Sequence, residues 1–161
     1  MKQRILIFLI CLMQLPPLFS ESMDRFFSQY NFKFITETAG LPYSFVSDIF
    51  KDSEGYVWVA THYGIGRYDG YQFLNYGTQT EPICLKNDFV HKVCEDNFRR
   101  LWIASEGGID ILSLDTYALV ELSVPSDSPL QKLMNKNVST VYKDKQGDVW
   151  ISANKDLWCI E

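Results

Sequence analysis

The stretch Val57-Trp58-Val59-Ala60-Thr61 constrains this chain most, because it is written three times. It returns as Leu101-Trp102-Ile103-Ala104-Ser105 and as Val149-Trp150-Ile151-Ser152-Ala153. Twelve residues before each Trp stands a Val (Val46, Val90, Val138), and nine before stands a second branched residue (Ile49, Val93, Val141). Six before is always Asp (Asp52, Asp96, Asp144), and three before is Gly55, Arg99 or Gly147. Trp to Trp is 44 residues and then 48. A period of about 40–50 residues belongs to repeat architectures in which one supersecondary unit stacks on the next.

Each unit also specifies its own hairpins. Val46, Ile49 and Phe50 form a short strand-forming run that ends at Asp52-Ser53-Glu54-Gly55. Asp can bond backbone ahead of it and Gly tolerates positive φ, so this is a turn, with the Trp run as the returning strand. Thr61-His62-Tyr63-Gly64 then leads into a third strand at Ile65 to Asp69, and Gly70 into a fourth at Tyr71 to Tyr76. The Trp runs are apolar throughout rather than alternating, which expects sheets buried on both faces. The reading is all-β: a partial β-propeller of about three four-stranded antiparallel blades, preceded by a signal peptide. The blades are placed at 45–76, 88–122 and 137–161, the third incomplete where the sequence reaches Glu161. Residues 23–44 form an N-terminal segment whose Phe32-Lys33-Phe34-Ile35 reads as a ring-closing fourth strand. The connectors Gly77 to Asn87 and Ser123 to Asn137 are polar, carry Pro, and read as exposed loops.

Residues 1–22 have the layout of a secretory signal peptide: Lys2 and Arg4, an apolar run from Ile5 to Leu15, then Pro16-Pro17 and small residues before the cut. An uncleaved anchor is the alternative, although the run is shorter than the roughly 20 residues a spanning helix needs. Cleavage would change the net charge from −5 to −6 with no basic stripe, which excludes nucleic acid as an expected partner. Aromatic content of 15% suits stacked sheets, whose gaps flat rings fill. Cys84, Cys94 and Cys159 match no zinc spacing; Cys94 and Cys159 are expected to be buried, and a Cys84–Cys94 disulfide is open.

Gly40-Leu41-Pro42, the Val-x-x-Ile-x-x-Asp-x-x-Gly-x-x-Trp register and Gly64-Ile65-Gly66-Arg67-Tyr68-Asp69 together resemble the two-component regulator propeller repeat. Unit two departs with Arg99 for Gly and Ile111-Leu112 for Arg-Tyr; unit three has Asp156 for Gly and Cys159 for Arg. The resemblance implies the N-terminal periplasmic sensor region of a hybrid histidine kinase that responds to glycan fragments. It implies further blades of the same protein as partners, an inner-membrane anchor in the intact protein, and a dimer as one arrangement of the sensor. An oligosaccharide or a periplasmic protein would be the ligand.

The chemistry of catalysis is not written here. His62 and His91 are the only histidines, no nucleophile motif or phosphate loop occurs, and no cofactor, metal or catalytic residue is expected. Asp52, Asp96 and Asp144 read as turn caps rather than a carboxylate array. Glu95-Asp96 and Glu106 would form an acidic pair only if folding brought them together. Three Trp residues read as core, and Trp158 lies outside their register. The turns after the Trp runs vary in chemistry on a constant frame: His62 and Tyr63, Glu106, then Asn154 and Lys155. These are the candidate ligand-binding residues. A fragment of a secreted propeller lyase or glycosidase, or a stand-alone binding propeller, would show the same strands.

Overall fold

The computed structural model describes residues 30–120, 128, 131 and 133–161, so the signal-peptide reading of residues 1–22 lies outside it. The chain divides into two units, Met1–Phe34 and Ile35–Glu161. Of the first, the described residues 30–34 have irregular backbone, with Phe34 91% exposed. The strand expected at Phe32–Ile35 is not formed, since residues 30–36 belong to no strand. Alternating Phe side chains supply propensity, but a strand exists only when another strand's backbone pairs with it.

The second unit is three antiparallel meanders. The first sheet is β1 (Val46–Lys51), β2 (Val57–Thr61), β3 (Gly64–Tyr68) and β4 (Phe73–Tyr76), adjacent in chain order. The second is β5 (Val90–Glu95), β6 (Arg100–Ser105), β7 (Gly108–Ser113) and the two-residue β8 (Ala118–Leu119). The third is β9 (Val138–Lys143), β10 (Val149–Ala153) and β11 (Asp156–Ile160). This is the blade pattern expected. Each Trp holds the same place in its second strand: Trp58 opposite Phe50 and Arg67, Trp102 opposite Cys94 and Ile111, Trp150 opposite Tyr142 and Cys159. Register slips by one residue near the start of every first strand, at Ser47, His91 and Ser139. Among the described residues no helix is long and apolar enough to cross a membrane.

Sheets bury their faces on one another. Trp58, Ala60 and Ile65 of the first sheet meet Val93, Leu101, Ile103 and Leu112 of the second in one core cluster. Trp102, Ala104, Ile109 and Ile111 meet Val138, Val141, Val149 and Ile151 in the next. Each large side chain taken from water there stabilises the fold by roughly 1.5–3 kcal/mol. The connectors are not the simple exposed loops expected. Leu85 and Leu133, each seventeen residues before its Trp, are 4% and 2% exposed and wedge into the seams, with Ile83 beside Leu85. Leu41 has the same offset and is half-buried.

That wedge explains two glycines. A Cβ on Gly108, at φ 128°, would stand 2.1 Å from the Met134 carbonyl oxygen, and one on Gly64 2.3 Å from that of Tyr76. The chain crosses so close to the start of the third strand that no side chain fits. In the third sheet Asp156 takes the place, and the positive φ moves to Asn154 at 59°.

Trp150 corrects the expectation that all three repeated Trp are core, being 37% exposed where Trp58 and Trp102 are sealed. Tyr142 and Leu157 are exposed on the same sheet. Cys159, expected to be buried, is likewise exposed: it pairs with Trp150 and shares its uncovered face. Cys94 is buried, and Cys84, Cys94 and Cys159 are all free thiols, so the open disulfide is not formed.

Candidate functional site

Each Asp expected to cap its first turn does so, and does more. Asp52 Oδ1 accepts the amides of Glu54 and Tyr56 at 3.0 and 2.9 Å, while Oδ2 accepts the Trp58 indole N–H at 2.7 Å. Asp96 accepts Phe98 N, Arg100 N and Trp102 Nε1, and Asp144 accepts Gln146 N, Asp148 N and Trp150 Nε1. The indole bond was missed in the sequence, although Asp and Trp keep a six-residue spacing in all three units. Burial pulls the Asp96 carboxyl up, but the bonds from Trp102, Arg100 and Phe98 outweigh it and hold it below the usual carboxylate range. The bond from Trp150, with the turn amides, lowers Asp144 as well. These carboxylates are structural. Glu95 accepts from Ser53 N and Oγ at 2.7 and 2.6 Å, and Glu106 lies at the opposite end of the second sheet, so the acidic pair is not assembled.

The same end of the sheets carries a clamp. Arg99 takes the place of glycine with φ 58°, and its guanidinium reaches Asp115 at 2.6 Å, Ser53 Oγ at 3.1 Å and the Glu54 carboxylate. Tyr117 Oη donates to the other Glu54 oxygen at 2.7 Å. The Arg67 guanidinium lies between the rings of Tyr56 and Tyr117, 4.6 and 4.3 Å from their centroids. Arg67 is thereby committed to holding two sheets together.

The candidate ligand residues lie at the other end, in the turns from second to third strands. His62 lies between two phenyl rings, 4.0 Å from Phe45 and 3.7 Å from Phe89 by centroids, and Phe89 reaches His91 at 5.2 Å. Thus His62 is a packing residue joining the first sheet to the second. Tyr63, next to it, is 69% exposed and leans on Tyr43, with centroids 6.3 Å apart. Beside Tyr63 opens a cavity of about 310 Å³ lined by Pro42, Asn75, Thr78, Gln79, Thr80 and Asp88. Its polar wall is ordered: Asp88 accepts the Thr78 amide and hydroxyl at 2.7 and 2.9 Å, and Thr80 Oγ1 accepts the Gly77 amide at 3.1 Å.

Of the five expected residues, Tyr63 lines this cavity, while His62 is held in the ring stack and Glu106 lies beside Phe89. Glu106 donates its amide to Phe89 O at 3.1 Å and lends negative charge to His91. Asn154 and Lys155 are exposed in the third sheet's turn and line neither cavity nor ring stack. The cavity residues Asn75, Thr78, Gln79, Thr80 and Asp88 were not anticipated. They come from a strand end and a connector, and nothing in their local pattern marks them. The cavity sets the Tyr63 ring beside hydroxyl, amide and carboxylate groups. Among the described residues no group of three His, Cys, Asp or Glu side chains could hold a metal ion.

Two segments, residues 40–63 and 132–155, match the two component regulator propeller family. Each begins eighteen residues before its Trp, spans the capped hairpin and ends in the turn that follows. These two segments are similar to two-component regulator propeller repeats. The second unit, with Arg99 in place of glycine, falls outside the matched segments. The arrangement of the sheets is shared with solved structures. The extracellular domain named for the hybrid two component system BT3049 of B. thetaiotaomicron superposes with TM-score 0.58 at 22% identity, over 71% of this chain and 15% of that one. The extracellular domain named for BT4673 of the same organism gives 0.59 at 23%, over 75% and 18%. At these identities the likeness concerns the fold, and the chain spans less than a fifth of either domain. No curated protein matches the chain.

Proposed function

We propose that these blades belong to the ligand-sensing propeller of a periplasmic two-component signalling protein, exported by the N-terminal segment, and that they bind and transmit rather than catalyse. The regulator-propeller match of residues 40–63 and 132–155 carries this reading. The likeness to extracellular domains of two-component systems supports its placement outside the inner membrane. Further blades of the same protein would cover the face around Trp150, and the intact sensor would pair as a dimer.

The ligand we propose is an oligosaccharide fragment, seated where Tyr63 borders the cavity of Asn75, Thr78 and Asp88. The support is chemical: an exposed ring for stacking on a pyranose face, with fixed hydroxyl and carboxylate groups around it. The test is calorimetric titration of the full sensor region against a panel of plant, host and microbial oligosaccharides. One class should bind, and Tyr63→Ala should weaken it at least about tenfold, or 1.4 kcal/mol. Binding unchanged by Tyr63→Ala would move the site elsewhere, and no binding by any oligosaccharide would sink the ligand class.

A further inference from the structure

We propose that the stack Phe45–His62–Phe89–His91 is an acid-sensitive seam between the first two sheets, opened when His91 takes up a proton. Geometry supplies the argument. His91 is the extra residue of the register slip at the start of β5, the place that Ser47 and Ser139 hold in the other sheets. Both serines satisfy their hydroxyls, Ser47 on Val90 O at 2.6 Å and Ser139 on Ser152 O at 3.1 Å. His91 does not: its Nε2 is buried with no hydrogen-bond partner. A bulge aims one side chain away from the ladder, and here it aims an imidazole into an aromatic stack. Neutral imidazole can leave Nε2 as an unused acceptor. Imidazolium carries a proton on both nitrogens, and the one on Nε2 would be buried facing no acceptor.

The charged neighbours do not rescue it. Burial pushes the imidazole below the usual histidine range; Glu106 pulls it up and the nearby His62 ring adds to the depression. From β1, Asp48 is taken by Lys92 Nζ at 2.7 Å and the Val93 amide at 3.1 Å. Asp88 is taken by Thr78. On β9 the ionisable residues Tyr142 and Lys143 are in its second half, with Lys136 just before it. A lowered folded value means that the seam is fully stable above the unfolded value of 6.5 and weakens as pH falls through the folded one. The stack carries the Tyr63 turn, so opening it would release that turn.

The experiment is hydrogen exchange on the full-length protein without ligand, at pH 7.5 and pH 5, corrected for intrinsic rates. It therefore reads the seam whatever the ligand is. The reporting amides are Gly64, bonded to Asp88 O at 2.7 Å, and Glu106, bonded to Phe89 O. Their protection should fall by up to about tenfold per pH unit between 6.5 and the folded His91 midpoint, the limit for one linked proton, and level off below it. His91→Ser, the residue at the same place in the other sheets, should abolish that fall. Equal loss in the variant, or no loss in the parent, overturns the seam. Should His91→Ser not fold, the His91 ring titration by NMR decides: a midpoint below 6.5 supports the seam, and one at or above 6.5 overturns it.

Discussion

The Trp102 indole N–H donates to Asp96 Oδ2 at 2.8 Å, and that one bond ties the second sheet's core to its first turn. Asp96 Oδ1 meanwhile holds the Phe98 and Arg100 amides, so one carboxylate shapes the hairpin and positions the ring that fills the next seam. Trp58–Asp52 and Trp150–Asp144 repeat it at 2.7 and 2.8 Å. Asp96→Asn has one acceptor oxygen for both tasks and leaves one donor set unpaired. It should cost about 2–3 kcal/mol by denaturant titration, the range for hydrogen bonds to a buried charged group. Asp144→Asn should cost less, because Trp150 is partly exposed. Equal costs would refute the dependence on burial.

Acid should act through the same carboxylates. Hydrogen bonds hold Asp96 and Asp144 below their unfolded value of 3.8, so their contribution is complete above pH 3.8 and is lost as pH falls through the lower folded values. Thermal melts between pH 2 and pH 5 should show this loss, reduced in Asp96→Asn. A variant with the parent's acid profile would remove Asp96 from the account.

Arg99 stands at φ 58°, where a side chain costs roughly 1 kcal/mol against glycine. Arg99→Ala keeps that strain and removes the links to Glu54 and Asp115, whereas Arg99→Gly removes both strain and links. Alanine should therefore be the worse substitution, by about 1 kcal/mol in denaturant titration. The opposite order would show that the conformation at φ 58° carries no strain here.

Gly108→Ala should be among the most damaging single changes, at about 3 kcal/mol or more, because its Cβ meets a backbone carbonyl at 2.1 Å in a left-handed conformation. Gly70→Ala, with nothing within 4 Å, carries only the conformational strain and should cost about 1 kcal/mol. Comparable midpoints for the two variants would count against the close approach of the connector.

Residues 23–161 made alone should self-associate, since Trp150, Tyr142 and Leu157 crowd one uncovered sheet and Ile49 is 66% exposed on another. Sedimentation velocity reads this directly, and adding further repeats should restore the monomer. A monodisperse monomer with a sharp thermal transition would refute it.

The Trp register by itself determined the hairpins, the turn Asp residues and the layering of sheets. These interactions close within six residues or repeat in every unit, so local spacing encodes them. The Asp–Trp bond was legible in principle, because the six-residue spacing never varies. What only the tertiary structure decided spans sheets: His62 against Phe89, Arg99 against Glu54, and the cavity joining Tyr63 to Thr78 and Asp88. Such contacts depend on where one sheet's turns come to rest on the next, which no periodicity records. Trp150 and Cys159 make the same point from the other side. The sequence setting of Trp150 matches the buried Trp58 and Trp102, yet both it and its partner Cys159 are exposed, because burial requires a neighbouring sheet as well as an apolar side chain.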